Sequence, residues 1–289
     1  MKIDWKRGFT LIELVIVIAI LGIVASGIVI AVNPLGKLNS ANLAKVKTFS
    51  ASTENALIIS QVGKWSFEET SSPSLDTSGY GRHAYWSATG VTSEIEANCE
   101  LGFGRCVRLD GSNGSMSMSD NAFSNLSTGT ISAWVFLTGS SNIQGIVFWA
   151  QSSIGRQLIF EIETQKVHWA IQPGFSCGYS PSWCPDGYGS TTNIPYNRWN
   201  HIAVTVDASG WKLYLNGNLD KSVPSAREAN FFNDIGTLQS YRIGEGYPGS
   251  LRHFRGMIDE LSIFSEALIS SQIQHLYAQG TIRRAMAFR

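Results

Sequence analysis

The chain has 289 residues, with 22 Lys and Arg against 22 Asp and Glu, and only 15% of its residues are charged, compared with roughly 25% in an ordinary soluble domain. Its net charge is zero and no block of basic residues follows the first seven positions, so a nucleic-acid-binding role is disfavoured. The length allows one or two domains, with a hydrophobic core large enough to fold without disulfides or bound metal ions.

The first predicted element is an apolar helix over residues 9–32, in which Glu13 is the only ionisable side chain. As a helix this segment spans about 36 Å, which covers a hydrocarbon core of about 30 Å. Three basic residues precede it and favour a cytoplasmic leader, which places the remainder of the chain outside the cytoplasm. A secretory signal peptide is the alternative. It would be cleaved after the apolar stretch, where residues 24–27 offer only an imperfect site.

The leader has a specific residue order, Lys6-Arg7-Gly8-Phe9-Thr10-Leu11-Ile12-Glu13. It resembles the leader of type IV pilins and type II secretion pseudopilins. The resemblance implies that residues 1–8 are removed by a prepilin peptidase, which cuts between Gly8 and Phe9, and that the new Phe9 amine is methylated. It also implies that the apolar helix stays in the mature protein as the core of a filament.

Glu13 is expected to take part in filament assembly. A carboxylate inside an apolar helix is costly, so it needs a partner, and in a filament of staggered helices it could neutralise the amine of a neighbouring Phe9. The partners implied are therefore other pilin or pseudopilin subunits. The precursor would cross the bacterial inner membrane once, and the assembled protein would lie at the cell surface or in a pilus. The alternative is a plain membrane anchor in which the Glu13 side chain extends to the water at the membrane surface.

Residues 33–62 are predicted to continue this helix and then to link it to the rest of the chain. Asn33-Pro34 can kink the helix, and an imperfect apolar stripe follows at helical spacing. The stripe consists of Leu38, Leu43, Val46, Phe49, Leu57 and Ile58.

From Trp65 onward the period is that of strands, with short β-branched and aromatic runs separated by Gly, Ser, Asn and Asp. Asn216-Gly217 supplies a tight hairpin turn. Many short strands with such turns favour a sandwich or jelly roll. The clearest strands are Thr130–Leu137, Gly145–Ala150, Gln157–Ile162, Val167–Ile171, Trp199–Val206 and Trp211–Leu215.

Several of these segments resemble the laminin-G-like, concanavalin A-like jelly-roll family of bacterial surface proteins, over about Trp65–Gly280. The resemblance implies an α+β chain, with a long N-terminal helix followed by an all-β jelly-roll sandwich over residues 63–280 and a C-terminal tail over 281–289. The matching segments are Trp65–Glu69, Asp76–Ala84, Val107–Gly111, Ile131–Val135, Arg198–Thr205, Leu213–Gly217 and Phe254–Phe264, with Ile273, Leu276 and Tyr277 on one face of a closing helical turn.

The four cysteines form two pairs of identical spacing, Cys99/Cys106 and Cys177/Cys184. An even number in an exported protein favours disulfides. Three connectivities are open, and the two local bridges are preferred because each closes a short loop. Zinc ligation is the alternative, although the spacing lacks the close ligand pairs of zinc sites.

The second cysteine pair lies within an aromatic loop over residues 173–189, which a bridge between the two would hold together. Aromatic faces suit sugar rings, and hydroxyl and carboxylate groups can hydrogen bond to sugars. The loop is therefore a candidate recognition surface for a glycan or a surface protein, although the same side chains could simply pack as a small core inside the loop. The candidate ligand-binding residues are Phe175, Tyr179, Trp183, Asp186 and Tyr188.

Glu68 and Asp259 are candidate ligands for a structural Ca²⁺. In jelly rolls of this type the first and last strands commonly pair, and the resemblance implies that some relatives carry Ca²⁺ there. Hard oxygen ligands suit that ion. The alternative is a pair of solvated surface carboxylates, and no other cofactor is expected.

No enzymatic activity is expected. Related folds include laminarinase-type hydrolases with a Glu-x-Asp-x-x-Glu array along one strand, and the nearest approach here, Glu161-Ile162-Glu163, lacks the third residue. The chain is therefore interpreted as a minor pilin or pseudopilin whose extracellular head mediates adhesion or recognition of a carbohydrate or protein. The alternatives are a pseudopilin of a secretion apparatus with a structural or cargo-contacting head, and a surface-anchored glycoside hydrolase.

Replacing Glu13 with Ala should leave cleavage before Phe9 intact but greatly reduce incorporation into filaments, because the buried amine of a neighbouring subunit would lose its counter-charge. Mass spectrometry of the mature N-terminus and immunoblotting of sheared surface material measure the two steps separately. Glu54→Ala, a carboxylate outside the apolar segment, is the control. Unchanged incorporation of the Glu13→Ala chain would refute the pairing.

Overall fold

A computed structural model describes only part of the chain, and the predicted leader, the apolar segment 9–32 and most of the helical continuation lie outside it. Within the described part, no helix is both long and apolar enough to cross a membrane. The chain divides into two compact units, Met1–Asn55 and Ala56–Arg289, and every strand belongs to the second. The described residues are 50–94, 99, 104–118, 123–138, 143–151, 156–172, 189–224, 229–236, 240–245 and 252–287.

The elements begin with helix α1 over residues 50–60 and end with helix α2, Ser270–Ala287. A short 3₁₀ helix, Phe232–Ile235, lies between them. The strands in chain order are β1 Gln61–Trp65, β2 Tyr85–Trp86, β3 Val91–Glu94, β4 Cys106–Asp110, β5 Met116–Met118, β6 Gly129–Leu137, β7 Ile143–Gln151, β8 Gln157–Glu163, β9 Lys166–Gln172, β10 Trp199–Asp207, β11 Gly210–Leu215, β12 Asn218–Val223, β13 Ser240–Ile243 and β14 Arg255–Phe264.

These elements confirm the predicted strands to within two residues at each end and correct two predicted boundaries. Gln61 and Val62 belong to strand β1 rather than to the helical linker 33–62, because pairing with β14 outweighs the local helical pattern. Residues 281–287 continue helix α2 rather than forming a tail. Gly280 is buried and lies within the helix, so the helical backbone continues past it.

The strands form two antiparallel sheets. One contains β12-β11-β10-β6-β14-β4-β3 in that order, with β1 also paired to β14, and the other contains β2-β5-β13-β7-β8-β9. The core lies between them and is rich in aromatic side chains, including Trp65, Phe148, Phe160, Trp169 and Tyr241. Alternate residues of each strand reach this core, as expected for two sheets that pack face to face.

Strand β14 is the strand on which the larger sheet is built. Arg255–Ile258 pair with β4 and Leu261–Phe264 pair with β1, while β6 runs along the other edge. The change of partner falls at a bulge, where Glu260 adopts a left-handed conformation with φ of 46°. The expected pairing of the first and last strands is therefore confirmed.

Helix α1 runs directly into this sheet. Leu57 packs with Tyr214, Phe264 and Leu268 in a small buried cluster that also includes Ile273 of helix α2. The helix end is also tied down by hydrogen bonds, because the backbone N–H and hydroxyl of Ser265 both donate to the carbonyl oxygen of Ser60. The two helices thus meet on the same side of the sandwich.

The predicted local disulfide between Cys99 and Cys106 is confirmed, with its Cα atoms 5.8 Å apart. It packs against Trp134 and Trp199, and the Trp199 indole N–H donates to the carbonyl oxygen of Cys99. Cys177 and Cys184 lie outside the described residues.

The segment between β1 and β2 is organised by Asp76. Its carboxylate accepts hydrogen bonds from the backbone N–H groups of Lys64, Ser78 and Arg82, at 2.9, 2.9 and 3.0 Å. Burial alone would raise the pKa of Asp76, but the hydrogen bonds outweigh burial and hold the pKa below its ordinary value. The ionised side chain therefore stabilises the fold.

Replacing Asp76 with Ala should lower the free energy of unfolding by about 2 kcal/mol or more, because three N–H groups lose a charged acceptor. The lowered folded-state pKa means that the contribution is complete above the unfolded value, near 3.9, and is lost as the pH falls through the folded value. Urea unfolding of the full-length chain in detergent, near neutral pH and at about pH 3, measures both effects. The control is Leu75→Ala, whose side chain is 43% exposed. A deficit equally large at acid pH would contradict this account.

Candidate functional site

The predicted recognition residues Phe175, Tyr179, Trp183, Asp186 and Tyr188 lie outside the described residues. Strand β9 enters this loop at Gln172, and the chain is described again from Gly189, which forms an isolated bridge with His168. The structure therefore describes the sheet to which the loop connects, and that sheet carries a second candidate surface.

This surface is the outer face of the six-stranded sheet, meaning the face that points away from the core. Directly paired residues in an antiparallel sheet share a face, and one row of them crosses all six strands. Trp149 of that row is only 1% exposed, and its indole N–H donates to the side-chain oxygen of Gln157 at 3.1 Å. At the β2 edge, Tyr85 is 55% exposed. The row is Tyr85, Ser117, Arg242, Trp149, Ile159 and Ala170.

The next part of the same face carries a cluster of charged side chains from β8 and β9. Alternation along β8 directs Glu161 and Glu163 to the outer face while Phe160 and Ile162 enter the core. Glu161 lies directly opposite His168 on β9. The sequence thus brings two carboxylates and an imidazole together without any contiguous motif.

The register of this pair is set by a two-residue turn. Thr164 and Gln165 both have positive φ, 51° and 65°, which is the conformation of a type I′ hairpin turn. Neither residue favours that conformation, but the turn is held from outside: the Gln165 side chain donates to the carbonyl oxygen of Ile194, and the Ile194 N–H donates to the carbonyl oxygen of Gln165. Tertiary contacts therefore compensate for unfavourable turn residues.

Arg252 supplies the cation of the cluster. Its Nη1 lies 2.8 and 2.6 Å from the two carboxylate oxygens of Glu161, and its Nη2 lies 4.0 Å from Oε1 of Glu163. His168 Nδ1 lies 3.9 Å from Oε1 of Glu161 and 3.6 Å from Oε2 of Glu163. Glu161, Glu163 and His168 could hold a metal ion together, because one ligand atom from each lies within 4.8 Å of the other two. Among the described residues they are the one such group of three His, Cys, Asp or Glu side chains.

Glu161 is only 3% exposed, and burial by itself would raise its pKa. The nearby His168 imidazole and the charge and hydrogen bonds of Arg252 outweigh burial, so the pKa of Glu161 lies below its ordinary value. The carboxylate is therefore ionised and engaged with a cation at neutral pH.

A second ion-pair group lies on the same sheet. Arg242 Nη1 is 2.8 Å from Oε2 of Glu245, and His253 Nε2 is 3.8 Å from Oε1 of the same carboxylate. Arg242 belongs to the row that crosses the sheet, so this group connects the row to the segment that precedes β14.

The predicted calcium ligands lie elsewhere: Asp259 is at the bulge of β14, and Glu68 follows the end of β1. Asp259 is fully buried, and its Oδ1 accepts the Glu260 N–H at 2.8 Å while its Oδ2 has no hydrogen-bond partner. Burial, together with the negative charges of Glu260 and Glu68, raises the pKa of Asp259 well above its ordinary value. Glu68 is exposed, and its Oε2 accepts the Arg105 N–H at 3.0 Å.

A buried Ser–His contact on the larger sheet also has the residue types of a catalytic pair. The Ser132 hydroxyl and His201 Nε2 are 2.9 Å apart, and both residues are buried. Burial lowers the pKa of His201 to about 3, so the ring is neutral at physiological pH. The contact joins β6 to β10 on the face of the larger sheet that points away from the core, where the His201 ring lies beside Tyr277 of helix α2.

The two antiparallel sheets, their shared aromatic core and the pairing of first and last strands define a jelly-roll domain of the lectin and glucanase type. A family model described as the concanavalin A-like lectin/glucanases superfamily matches residues 110–274, more than half of the chain, and the protein belongs to this laminin-G-like family. A second model, the prokaryotic N-terminal methylation motif, matches residues 6–29. The chain therefore joins a pilin-type N-terminus to a concanavalin A-like domain.

Solved structures share the fold at low sequence identity. Domain 4 of an extracellular arabinanase from Geobacillus stearothermophilus, solved with arabinotriose, is 19% identical with a TM-score of 0.56, and the match covers 75% of this chain and 98% of that one. The binding domain of Paraclostridial mosquitocidal protein 1 is 18% identical with a TM-score of 0.57, covering 77% and 53%. A sialidase from Trypanosoma rangeli is 15% identical with a TM-score of 0.53, covering 75% and 32%.

This chain thus spans about half the length of the mosquitocidal protein's binding domain and about a third of the length of the sialidase. No curated protein is similar enough to the chain to count as a match.

Sequence reasoning noted Glu161 and Glu163 only as an incomplete hydrolase array and did not connect them with His168 or Arg252. One signal was available, because two Glu at alternate positions of an otherwise apolar strand share a face. The partner residues come from another strand and from a loop almost a hundred residues away, so no local pattern could find them.

Proposed function

We propose that this protein is a pilin-like subunit, a minor pilin or pseudopilin, whose jelly-roll head is displayed outside the cell to recognise a carbohydrate or a surface protein. The observation that carries the proposal is the joining of two parts in one chain. The N-terminal methylation motif supports processing by a prepilin peptidase and assembly with other pilin subunits. The concanavalin A-like domain supplies the head.

The outer face of the six-stranded sheet is the recognition surface proposed within the described residues. Exposed Tyr85 offers an aromatic face for a sugar ring, and the neighbouring Ser117 and Arg242 offer hydrogen-bonding groups along the same row. The loop 173–189 connects to the opposite edge of the same sheet, through Gln172 of β9. The earlier assignment of Trp183 and its neighbours therefore remains a proposal beside this one.

We propose recognition without catalysis. A retaining or inverting glycosidase needs one carboxylic acid with a raised pKa beside a second, ionised carboxylate. Glu161 has a lowered pKa and both of its oxygens accept hydrogen bonds from Arg252. The pair Glu161 and Glu163 is therefore better suited to holding a cation than to protonating a leaving group.

Asp259 and Glu68 are proposed to hold a structural Ca²⁺. The supporting observation is the buried Oδ2 of Asp259, which has no hydrogen-bond partner and belongs to a carboxyl group whose pKa is raised. A bound Ca²⁺ would supply positive charge to oxygen ligands at this bulge. Asp259 would provide the buried oxygen and Glu68 an exposed one, so the ion would stabilise the change of partner along β14.

The full-length chain in detergent should bind members of a glycan panel that includes arabinotriose and sialylated oligosaccharides. Tyr85→Ala should weaken such binding by roughly tenfold, because an aromatic contact is worth about 1 kcal/mol or slightly more. Leu219→Ala is the matched control, since Leu219 is 52% exposed on the edge strand of the other sheet. Calorimetric titration measures the affinities.

If Tyr85→Ala leaves the glycan affinity unchanged and Trp183→Ala abolishes it, the glycan-binding site lies in the loop 173–189 and not on the sheet. Binding to exported cargo or other pilins but to no glycan would favour the secretion-apparatus alternative. Glycan hydrolysis that Glu161→Gln abolishes would refute recognition without catalysis.

Adding Ca²⁺ to chelator-treated protein should raise the thermal midpoint, by several degrees at saturating concentration, because the ion binds only the folded state. Asp259→Asn should abolish this shift while the variant retains its folded far-UV spectrum. Glu266→Gln, which changes a carboxylate beyond the end of β14, is the control. A thermal unfolding midpoint that does not depend on Ca²⁺ would refute the proposed calcium site.

A further inference from the structure

We propose that Glu161, Glu163 and His168 form a binding site for one divalent transition-metal ion, with Zn²⁺ as its representative. The site is separate from the Asp259 position and does not depend on glycan recognition. It lies on the outer face of the six-stranded sheet, at the hairpin of β8 and β9.

The donor spacing supports this assignment. Zinc binds oxygen and nitrogen ligands at about 2.0–2.2 Å, so two ligand atoms of a tetrahedral site lie about 3.4 Å apart. His168 Nδ1 is 3.6 Å from Oε2 of Glu163 and 3.9 Å from Oε1 of Glu161. Both distances are within about half an ångström of that value, and the three ligand atoms all lie within 4.8 Å of one another.

The imidazole is oriented for this task by Gly189. A Cβ at that position would lie 2.6 and 2.7 Å from Cδ2 and Nε2 of His168, so the backbone of residue 189 packs closely against that edge of the ring. The opposite edge, with Nδ1, therefore faces the two carboxylates. Any larger residue at 189 would have to displace the ring.

Arg252 fits the role of an outer partner rather than a competitor. Its Nη1 donates to Oε2 of Glu161 at 2.6 Å and to Oε1 at 2.8 Å. Oε1 is the oxygen nearer His168, and a carboxylate oxygen that accepts one hydrogen bond still has a lone pair for a metal ion. Such a partner fixes the direction of a ligating carboxylate, and the lowered pKa of Glu161 keeps it ionised, as a metal ligand must be. Two carboxylates and one guanidinium leave a net negative charge for the metal to neutralise.

The donor set also selects the class of metal. A buried imidazole nitrogen suits Zn²⁺ and its neighbours, whereas Ca²⁺ and Mg²⁺ prefer oxygen alone. Three protein ligands leave at least one coordination position for water or for an external ligand.

Isothermal titration of the full-length chain with Zn²⁺ tests the proposal, using protein without a histidine tag and with excess Ca²⁺ present. We expect one saturable zinc site per chain. His168→Gln and Glu163→Gln should each weaken binding by at least about tenfold, the loss typical even of an outer-shell partner. Glu163 is chosen over Glu161 because it does not leave Arg252 buried opposite a neutral group.

Two controls make the result specific. Glu245→Gln changes a carboxylate with the same kinds of partner, an Arg and a His, on the same sheet, and should bind zinc as tightly as the unmodified chain. The double variant Cys177→Ser, Cys184→Ser should also retain the site, which separates it from zinc held by thiolates. Far-UV circular dichroism of the metal-free variants confirms that each is folded.

Folded His168→Gln and Glu163→Gln chains that bind zinc as tightly as the unmodified chain would overturn the proposal. So would zinc binding that only the cysteine variant loses, or the absence of saturable binding.

Discussion

The whole domain depends on strand β14 pairing with two successive partners along one edge. Arg255–Ile258 hydrogen bond to β4 and Leu261–Phe264 to β1, and the extra residue of the bulge makes the exchange geometrically feasible. Because β1 follows helix α1 without a connecting loop, this pairing anchors the end of the helix in the centre of the larger sheet. The cost is a buried Asp259 and a left-handed Glu260 at the exchange. A cation at that point would offset the first of these costs.

The outer face of the smaller sheet is organised by a different constraint, the two-residue turn between β8 and β9. A one-residue slip in a strand moves every side chain to the other face, so the turn at Thr164 and Gln165 decides that Glu161 lies opposite His168. The hydrogen bonds with Ile194 hold that turn in a conformation its residues do not favour. A charged cluster is thereby built on a scaffold of backbone pairing, with Arg252 reaching it from a loop.

The two parts of the chain divide the proposed function between them. The methylation motif concerns only residues 6–29, and the concanavalin A-like match begins at residue 110, so processing and recognition rely on separate stretches of sequence. A head with an aromatic edge, a polar row and a charged cluster on one face offers a broad surface for a partner. Helix α1 continues directly into β1, and the pairing of β1 with β14 fixes this connection in the larger sheet.

Features that depend on local chemistry can be predicted from the sequence alone. The leader motif, the change from helical to strand period, the hairpin at Asn216-Gly217 and the Cys99–Cys106 bridge all depend on neighbouring residues, and the last two are seen in the structure. The start of β1 and the length of helix α2 beyond Gly280 depend on tertiary contacts, because the partner of β1 is about two hundred residues away in sequence. The charged cluster was likewise decided by tertiary contacts. Ile194 holds the turn that places Glu161 opposite His168, and Arg252 reaches the pair from a loop 91 residues away in sequence.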